Sequence, residues 1–575
     1  MEKMEKSDVP VYTGAKSNKK RNIAVAASLF TVALFWNLPS LARGSHSISG
    51  GNTPQVNKIN FDSWCPIPEV SSTADDGLDS PSKFLEQDAI LKQVERMAAA
   101  VKVPTESFDD NDDVDVDPRW APFEDLHATL KEMFPLVHEK MKLDKVNKYG
   151  LIYTLPGTSE NLKPVLFAAH QDVVPATSVE KWTHPPFEGY FDGKWLWGRG
   201  SVDCKNNLIG LYSVMEDLLS QNFKPKRTIV FAFGFDEETG GKRGAKTLGA
   251  ELEKQWGQDN IAMILDEGGM GLDILGDYVY AMPGVAEKGY LDIILTIDVD
   301  GGHSSRPPPH TSIGIMSELL VELEAHPYTP RLTRENPFRN LLECQVKYSP
   351  GQVEAWLGQA LAANEDEGVL GERLAETRAD ERFIFQTSQA ADVIWGGKKV
   401  NALPESVHAE VNYRVSAHDA PLENIKEKAV SLLRPIAQKH GLALNVFGAI
   451  EEPATLSAWK LTFDLDQPLE PAPISSTNLD NPVWTLFSGT IRQVFENIPS
   501  LEGRTVVPVG DIMTGNTDTQ HYWNLTKNIY RYGPGREGTR LNAHTVDERI
   551  EMLSHVEAMV FYYDLIRNFD QAGDL

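Results

Sequence analysis

PVLFAAH (164–170), TIVFAFGF (228–235) and AMILDE (262–267) are three short apolar runs, and each ends in polar residues. Continuous apolar runs of this length are typical of strands that are buried on both faces of a sheet. Amphipathic helical patterns separate them, at 208–221 and 244–257. Strands and helices that alternate in this way predict an α/β fold with a mainly parallel, doubly wound sheet.

A second pattern begins after the third run. Residues 288–300 (KGYLDIILTIDVD) and 407–416 (VHAEVNYRVS) alternate apolar and polar side chains, as a half-exposed strand does. We therefore expect an α+β lid domain at 288–460. It would be inserted into a catalytic domain formed by residues 65–287 and 461–575.

Composition excludes several classes of protein. The chain has 575 residues and a formal net charge of −27, without a long block of Lys or Arg, so nucleic acid is excluded as a partner. The three cysteines are Cys65, Cys204 and Cys344. They are too few for a disulfide-dense scaffold or a thiolate metal cluster.

Residues 22–42 form an uncharged stretch of 21 residues, long enough to cross a bilayer. A basic cluster precedes it, so the positive-inside rule places a tail (1–21) in the cytosol and the remainder in a lumen. This reading makes the protein a single-pass membrane protein with a signal anchor, followed by a linker at 43–64. The alternative is a signal peptide that is cleaved at the end of this stretch. A glycosylation sequon at Asn524 fits the lumenal side.

The polar residues that follow the three strands suggest a metal site. Ligands of open α/β sheets bind beyond the carboxyl ends of the strands, so these residues could meet in one cleft. Imidazole with several carboxylates fits zinc with open positions, and shared carboxylates fit a pair of ions. The sequence thus predicts a metal-assisted hydrolase. The polar clusters are HQD (170–172), DEE (236–238) and DEG (266–268), with a further carboxylate in GRGSVDCK (198–205).

Six motifs occur in the order found in one family. Together they resemble the co-catalytic zinc exopeptidases and amidohydrolases, which include aminoacylases and succinyl-diaminopimelate desuccinylase. The likeness spans residues 65–575 and is greatest to the fungal vacuolar carboxypeptidases of the Gly-X type, which carry a membrane anchor. The motifs are HQDVVP (170–175), GRGSVDCKN (198–206), DEETGG (236–241), ILDEGG (264–269), GGHSSRPP (301–308) and REGTRLNAHTVDE (536–548).

This resemblance implies a set of metal ligands for two zinc ions per chain. Asp203 would bridge the two ions. His170 and Asp266 would complete one site, and Glu238 and His544 would complete the other.

The resemblance also implies the roles of two further carboxylates. Asp172 would orient the His170 imidazole. Glu237 would be the general base, taking a proton from a metal-bridging water and passing it to the leaving nitrogen. Cys204 follows the bridging aspartate, and we interpret it as a small buried residue because the carboxylate set is already complete.

Four residues match substrate-binding positions of the family. His303 would donate to the oxyanion, and Asn401 and Arg414 would hold the substrate, with the Arg414 fork on its carboxylate. Asp518 would line the same cleft. Structural alternatives exist for three of them: a turn residue for His303, a surface residue for Arg414 and an Asx turn for Asp518.

The resemblance favours a zinc carboxypeptidase that removes C-terminal residues from small peptides, with the vacuole as its compartment. An N-acyl-amino-acid amidohydrolase or synthase would use the same site, and a catalytically inactive binding ectodomain is a third alternative. Small members of the family pair through the lid and share its histidine between subunits. A homodimer is therefore expected, unless the long lid supplies His303 within one chain.

Overall fold

The computed structural model describes residues 61–72, 76–451, 459–501 and 503–575. The predicted tail (1–21) and membrane segment (22–42) lie outside these ranges. Among the described residues, no helix combines the length and apolar character needed to cross a bilayer.

The helices and strands of the described residues are numbered in chain order. The helices are α1 (Gln87–Val101), α2 (Pro122–Met133), α3 (Pro135–Lys140), α4 (Lys205–Ser220), α5 (Ala245–Trp256), α6 (Ser312–Glu324), α7 (Pro337–Tyr348), α8 (Leu357–Ala362), α9 (Glu367–Thr377), α10 (Leu422–Lys439), α11 (Pro482–Phe495) and α12 (Met552–Gln571). The strands are β1 (Lys142–Val146), β2 (Gly150–Leu155), β3 (Val165–His170), β4 (Tyr190–Phe191), β5 (Trp195–Trp197), β6 (Ile229–Gly234), β7 (Met263–Asp266), β8 (Gly271–Leu275), β9 (Tyr278–Met282), β10 (Gly284–Glu287), β11 (Gly289–Asp298), β12 (Gly302–His303), β13 (Ser388–Gly396), β14 (Ala402–Leu403), β15 (Ser406–Val415), β16 (Ala443–Val446), β17 (Ala449–Glu451), β18 (Lys460–Leu469), β19 (Thr505–Pro508), β20 (Asp511–Met513), β21 (Ile529–Arg531), β22 (Arg540–Leu541) and β23 (Arg549–Glu551).

The central sheet has eight strands in the order β1-β2-β6-β3-β7-β21-β10-β20. Its four middle strands β6, β3, β7 and β21 run parallel to one another, and the three predicted apolar runs form three of them. The sheet is mixed rather than mainly parallel, because three pairs of neighbouring strands are antiparallel: β1 with β2, β2 with β6, and β10 with β21.

Helices cover both faces of this sheet, as the apolar strands predict. One face packs with α4 and α12, whose Leu208 and Phe561 belong to the same buried cluster as Phe231. The other face packs with α5 through Leu248, beside Val230. The carboxyl ends of the parallel strands are left open, and the site residues follow them.

The lid contains a six-stranded sheet in the order β13-β15-β11-β18-β16-β17. Helices α6 and α10 cover it, with Leu319 and Leu433 in a core of its own. Strand β18 pairs with β11 along its length, so the lid sheet extends through Leu469 and the expected boundary at residue 460 is too early.

The long helical stretch between β12 and β13 does not pack on the lid sheet alone but contacts the catalytic domain. Helix α7 packs against the small sheet of β8, β9 and β19 in the catalytic domain, through a cluster that contains Leu342, Tyr280 and Val507. A disulfide joins Cys344 of this helix to Cys65 across 279 positions of sequence. This bond was not predicted from the sequence. Residues 61–64, the end of the predicted linker, pack against the same cluster through Phe61 and Trp64.

Candidate active site

Five of the predicted site residues lie at the open end of the central sheet. His170 is the last residue of β3, and Glu237 and Glu238 begin the turn after β6. Asp203 precedes α4, and His544 lies in the loop between β22 and β23. Strands in parallel order therefore bring residues together that are up to 374 positions apart in the sequence.

The Asp203 carboxylate lies between two imidazoles. Its Oδ1 is 3.0 Å from His170 Nε2, and its Oδ2 is 3.0 Å from His544 Nε2. Glu238 Oε2 is 3.1 Å from the same His544 nitrogen. Ligands of one tetrahedral zinc ion stand roughly 3.3 Å apart, because each bond is about 2 Å long. These spacings fit two neighbouring ions that share Asp203.

The acidic residue next to His170 is Glu267, not Asp266. Glu267 Oε1 is 3.0 Å from His170 Nε2, while Asp266 Oδ1 accepts a hydrogen bond from the Glu267 backbone. The Asp266 carboxylate belongs to neither group of potential metal ligands among the described residues. Neighbouring side chains at a strand end point to opposite sides, so the sequence DEGG does not reveal which acid faces the cleft.

The charges of this group fit a metal centre. Burial, together with the nearby Asp203 carboxylate, raises the pKa of Glu238 to about 7. Burial also raises the pKa of Glu267 above its ordinary value, again with Asp203 contributing. Glu238 Oε1 is buried and has no hydrogen-bond partner. Divalent cations would offset this excess of buried negative charge.

Asp172 holds the turn that carries the two glutamates. Its carboxylate is fully buried and accepts the backbone N–H groups of Glu237 and Glu238, each at 3.1 Å. The Ser107 hydroxyl donates to it at 2.6 Å. Asp172 Oδ1 is also 3.2 Å from His170 Nδ1, as expected for a residue that orients this imidazole.

Glu237 lies close to the potential metal ligands but does not belong to them. Its Oε2 lies 3.9 Å from His170 Nε2, and its carboxylate is absent from both sets of potential ligands. Burial raises the pKa of Glu237 well above the usual value. The buried Cys204 thiol accepts a hydrogen bond from the His170 backbone at 3.2 Å and lies within 4.8 Å of the ligand atoms of His170 and Glu267.

His303 and Asn401 lie together in the lid, because His303 belongs to β12 and Asn401 directly precedes β14, the strand that pairs with β12. Both are exposed. The Ser305 backbone N–H donates to His303 Nδ1 at 3.1 Å, which leaves the ring proton on Nε2. His303 is therefore prepared to donate a hydrogen bond through Nε2.

Arg414 lies at the other end of the lid sheet. It is opposite Tyr290, near the start of β11, whereas His303 follows the far end of that strand. The Arg414 guanidinium stacks over the Tyr290 ring at 4.4 Å and donates to Asn516 Oδ1 at 3.1 Å. Asn516 in turn donates to the Lys288 carbonyl at 2.7 Å. Arg414 is thus tied to a catalytic-domain loop.

Asp518 is buried beneath the cleft rather than exposed in it. It is 4% exposed, and neither carboxylate oxygen has a hydrogen-bond partner. Its carboxylate packs against Gly234 and Gly241, where an added Cβ would stand 2.2 Å and 2.6 Å from the oxygens. Burial raises the pKa of Asp518 well above its ordinary range, which favours the protonated form.

A family model described as Peptidase family M20/M25/M40 matches residues 166–568. This chain belongs to the M20 peptidases. Carboxypeptidase S of Saccharomyces cerevisiae is 38% identical over 496 residues, which are 83% of this chain and 84% of the relative. An N-fatty-acyl-amino acid synthase/hydrolase of Mus musculus is 28% identical over 505 residues, 85% of this chain and 90% of the relative.

Solved structures show the same M20 fold. A metallo-carboxypeptidase from Sulfolobus solfataricus superposes with a TM-score of 0.57 at 16% identity and covers 83% of this chain and 99% of its own. A dipeptidase from Saccharomyces cerevisiae gives a TM-score of 0.58 at 14% identity, with 86% and 99% covered.

Glu548, for which the sequence motifs predicted no role, organises the loop of Asp203 in this M20 peptidase. Its buried carboxylate accepts backbone N–H groups of Val202 at 2.8 Å and Asp203 at 3.2 Å. Arg199 Nη1 donates to it at 2.6 Å, and both side chains are at most 3% exposed. Glu548 lies four positions after His544, in the quoted motif, so it joins the two loops that provide these ligands.

Glu548→Gln is expected to destabilise the M20 fold, because it leaves the Arg199 charge buried without a counterion. Breaking a buried pair in this way costs about 3–5 kcal/mol in the free energy of unfolding. Urea titration measures the change. The control is Asp298→Asn, which removes a half-exposed pair with Lys460 and should cost less than about 1 kcal/mol. Equal losses in the two variants would contradict this role of Glu548.

Proposed function

We propose that this chain is a zinc carboxypeptidase that hydrolyses the C-terminal peptide bond of small peptides, with a preference of the Gly-X type. Membership of the M20 family and the carboxypeptidase relatives identify it as a metallo-carboxypeptidase. The choice of zinc, two ions per chain and the substrate are proposals.

The observation that carries the proposal is the Asp203 carboxylate between His170 and His544. With Glu267 on one side and Glu238 on the other, the donors form two similar half-sites around one shared carboxylate. Imidazole and carboxylate donors suit zinc, and we assign these five residues as its ligands. Glu267 takes the place first expected for Asp266.

Zinc ions bound there would act as Lewis acids on the scissile carbonyl and on the attacking water. Glu237 receives the proton of that water and passes it to the departing nitrogen, since its carboxylate lies beside the ligands without belonging to them. Asp172 fixes Glu237 by accepting its backbone N–H. Arg414 holds the substrate with its guanidinium fork on the terminal carboxylate. Asn401 lies beside His303 and holds the substrate from the same subunit as that histidine. Asp518 supports the cleft from beneath.

His303 is proposed to act on a partner subunit. Strand β11 spans nine residue steps from Gly289 to Asp298, about 30 Å, and Arg414 is near its start while His303 follows its end. One chain therefore cannot bring both residues to the same substrate in this arrangement. A second copy, joined through the lid, would place His303 Nε2 at the oxyanion.

The lid also offers the surface for such a homodimer. Strand β13 is an edge strand, and Ile394 and Trp395 near its far end are 53% and 57% exposed. Val400 and Ile313 are exposed as well. Exposed apolar side chains on a free edge are suited to pair with an equal surface.

The compartment is proposed to be a lumen, with the vacuole as destination and residues 22–42 as a signal anchor. The disulfide between Cys65 and Cys344 supports an oxidising compartment. Asn524 of the sequon is exposed, which is what glycosylation requires.

Glu237→Gln is expected to abolish catalysis while metal binding persists. Release of free leucine from an N-blocked Gly-Leu should fall about 100- to 10,000-fold, because the proton acceptor is lost. Zinc content measured by mass spectrometry should stay equal to that of the wild type. The matched control is Glu180→Gln, an exposed carboxylate outside the site, which should keep full activity.

The same assay separates the two enzymatic functions. A higher kcat/KM for N-fatty-acyl-leucine than for the blocked dipeptide would favour the amidohydrolase, as in the more distant relatives. Activity of Glu237→Gln equal to that of the wild type would exclude Glu237 as the base.

Trp395→Glu combined with Ile394→Glu is expected to produce a monomer, because two charges would be buried at the edge-strand contact. Sedimentation velocity measures the state of assembly. The monomer should retain zinc but lose most of its activity, since His303 would no longer reach a neighbouring site. A fully active wild-type monomer would contradict the shared histidine.

A further inference from the structure

A small cavity lies where the lid joins the catalytic domain. Its wall contains Glu287 and Lys288, where the chain enters the lid, and Ala472, where the chain leaves it. Ser416 and His418, directly after β15, line its polar side. The other polar residues of the wall are Thr333, Glu335 and Asn336. We call this space the junction cavity. It is lined by none of the proposed metal ligands and not by the proposed base.

Lys288 is a buried cation without a counterion. It is 2% exposed, and its ammonium donates to the backbone carbonyls of Phe383 at 2.9 Å and Gln386 at 2.6 Å. Among the described residues, no carboxylate oxygen lies within 4.0 Å of it. Its third N–H makes no hydrogen bond within that part of the chain.

The acidic groups around Lys288 are engaged elsewhere or exposed. Glu287 forms a buried ion pair with Arg531 at 3.0 Å. Glu335 is exposed, and Asp419 accepts the Thr387 hydroxyl at 2.5 Å. Burial lowers the pKa of Lys288 to about 7, although the more distant Asp419 acts to raise it.

Two further polar groups of the cavity have no hydrogen-bond partner. The Ser416 hydroxyl is buried in a residue that is 4% exposed. His418 Nε2 is also buried, with 7% of the side chain exposed, and it lies 3.4 Å from Asp419 without a hydrogen bond. Buried polar groups normally have a partner, so these two indicate an occupant.

We propose that the junction cavity binds one small monovalent anion of the halide class, with Lys288, Ser416 and His418 as its donors. The free space of about 40 Å³ suits a single halide ion and is too small for a phosphate-bearing ligand. A water molecule would provide hydrogen bonds for the Ser416 hydroxyl and the His418 imidazole. Only an anion would also offset the charge of the buried Lys288 ammonium, because the surrounding protein has a low dielectric constant. The bound ion would stabilise the junction between lid and catalytic domain.

Thermal unfolding of the full-length protein tests this proposal. Sodium chloride should raise Tm in a saturable manner, by about 2 °C, relative to sodium gluconate at the same ionic strength and pH. Lys288→Met should lose the chloride-specific rise. Lys398→Met removes an exposed lysine of the lid, with the same change of net charge, and should retain it.

Crystals soaked in sodium bromide provide an independent test that needs no variant. An anomalous peak is expected in the junction cavity, in contact with the Lys288 ammonium. Equal Tm values in chloride and gluconate, or bromide sites only outside this cavity, would overturn the proposal. If Lys288→Met does not fold, the wild-type titration and the bromide map decide the question.

Discussion

The shared Asp203 carboxylate is the interaction on which the site depends. Although burial raises its pKa, hydrogen bonds from His170 and His544 hold the pKa of Asp203 well below its ordinary range. The pKa values of the neighbouring Glu238 and Glu267 are raised instead, because burial and repulsion by Asp203 favour their protonated forms. One shared anion with surplus acids around it is the charge pattern that two divalent cations would neutralise.

Buried carboxylates hold the loops that carry these charged residues in place. Glu548 binds the backbone of the Asp203 loop and pairs with Arg199, and Asp172 binds the backbone of the turn that carries Glu237. Each is a buried carboxylate that accepts several N–H groups, which sets the direction of a whole turn. Apart from His170 at the end of β3, the proposed ligands therefore occupy defined positions without belonging to strands. The lid adds Arg414, the proposed substrate clamp, whose contact with Asn516 links it to the same domain.

Much of this arrangement could be predicted from the sequence. The three apolar runs became β3, β6 and β7, and their polar ends meet at one edge, because parallel strands share a carboxyl end. A ligand was expected at Asp266, but Glu267 lies beside His170, because the direction of each side chain depends on how the chain turns after β7. The disulfide was missed for a similar reason: a separation of 279 positions carries no local pattern. The boundary at residue 460 failed because β18 pairs with β11, a contact that periodicity alone does not reveal.

Anomalous diffraction at the zinc absorption edge, from crystals of the full-length protein, tests the central claim most directly. We predict two peaks, one on each side of the Asp203 carboxylate. The first should contact His170 and Glu267, and the second Glu238 and His544. A single peak, or a peak that contacts Asp266 in place of Glu267, would contradict the paired centre described here.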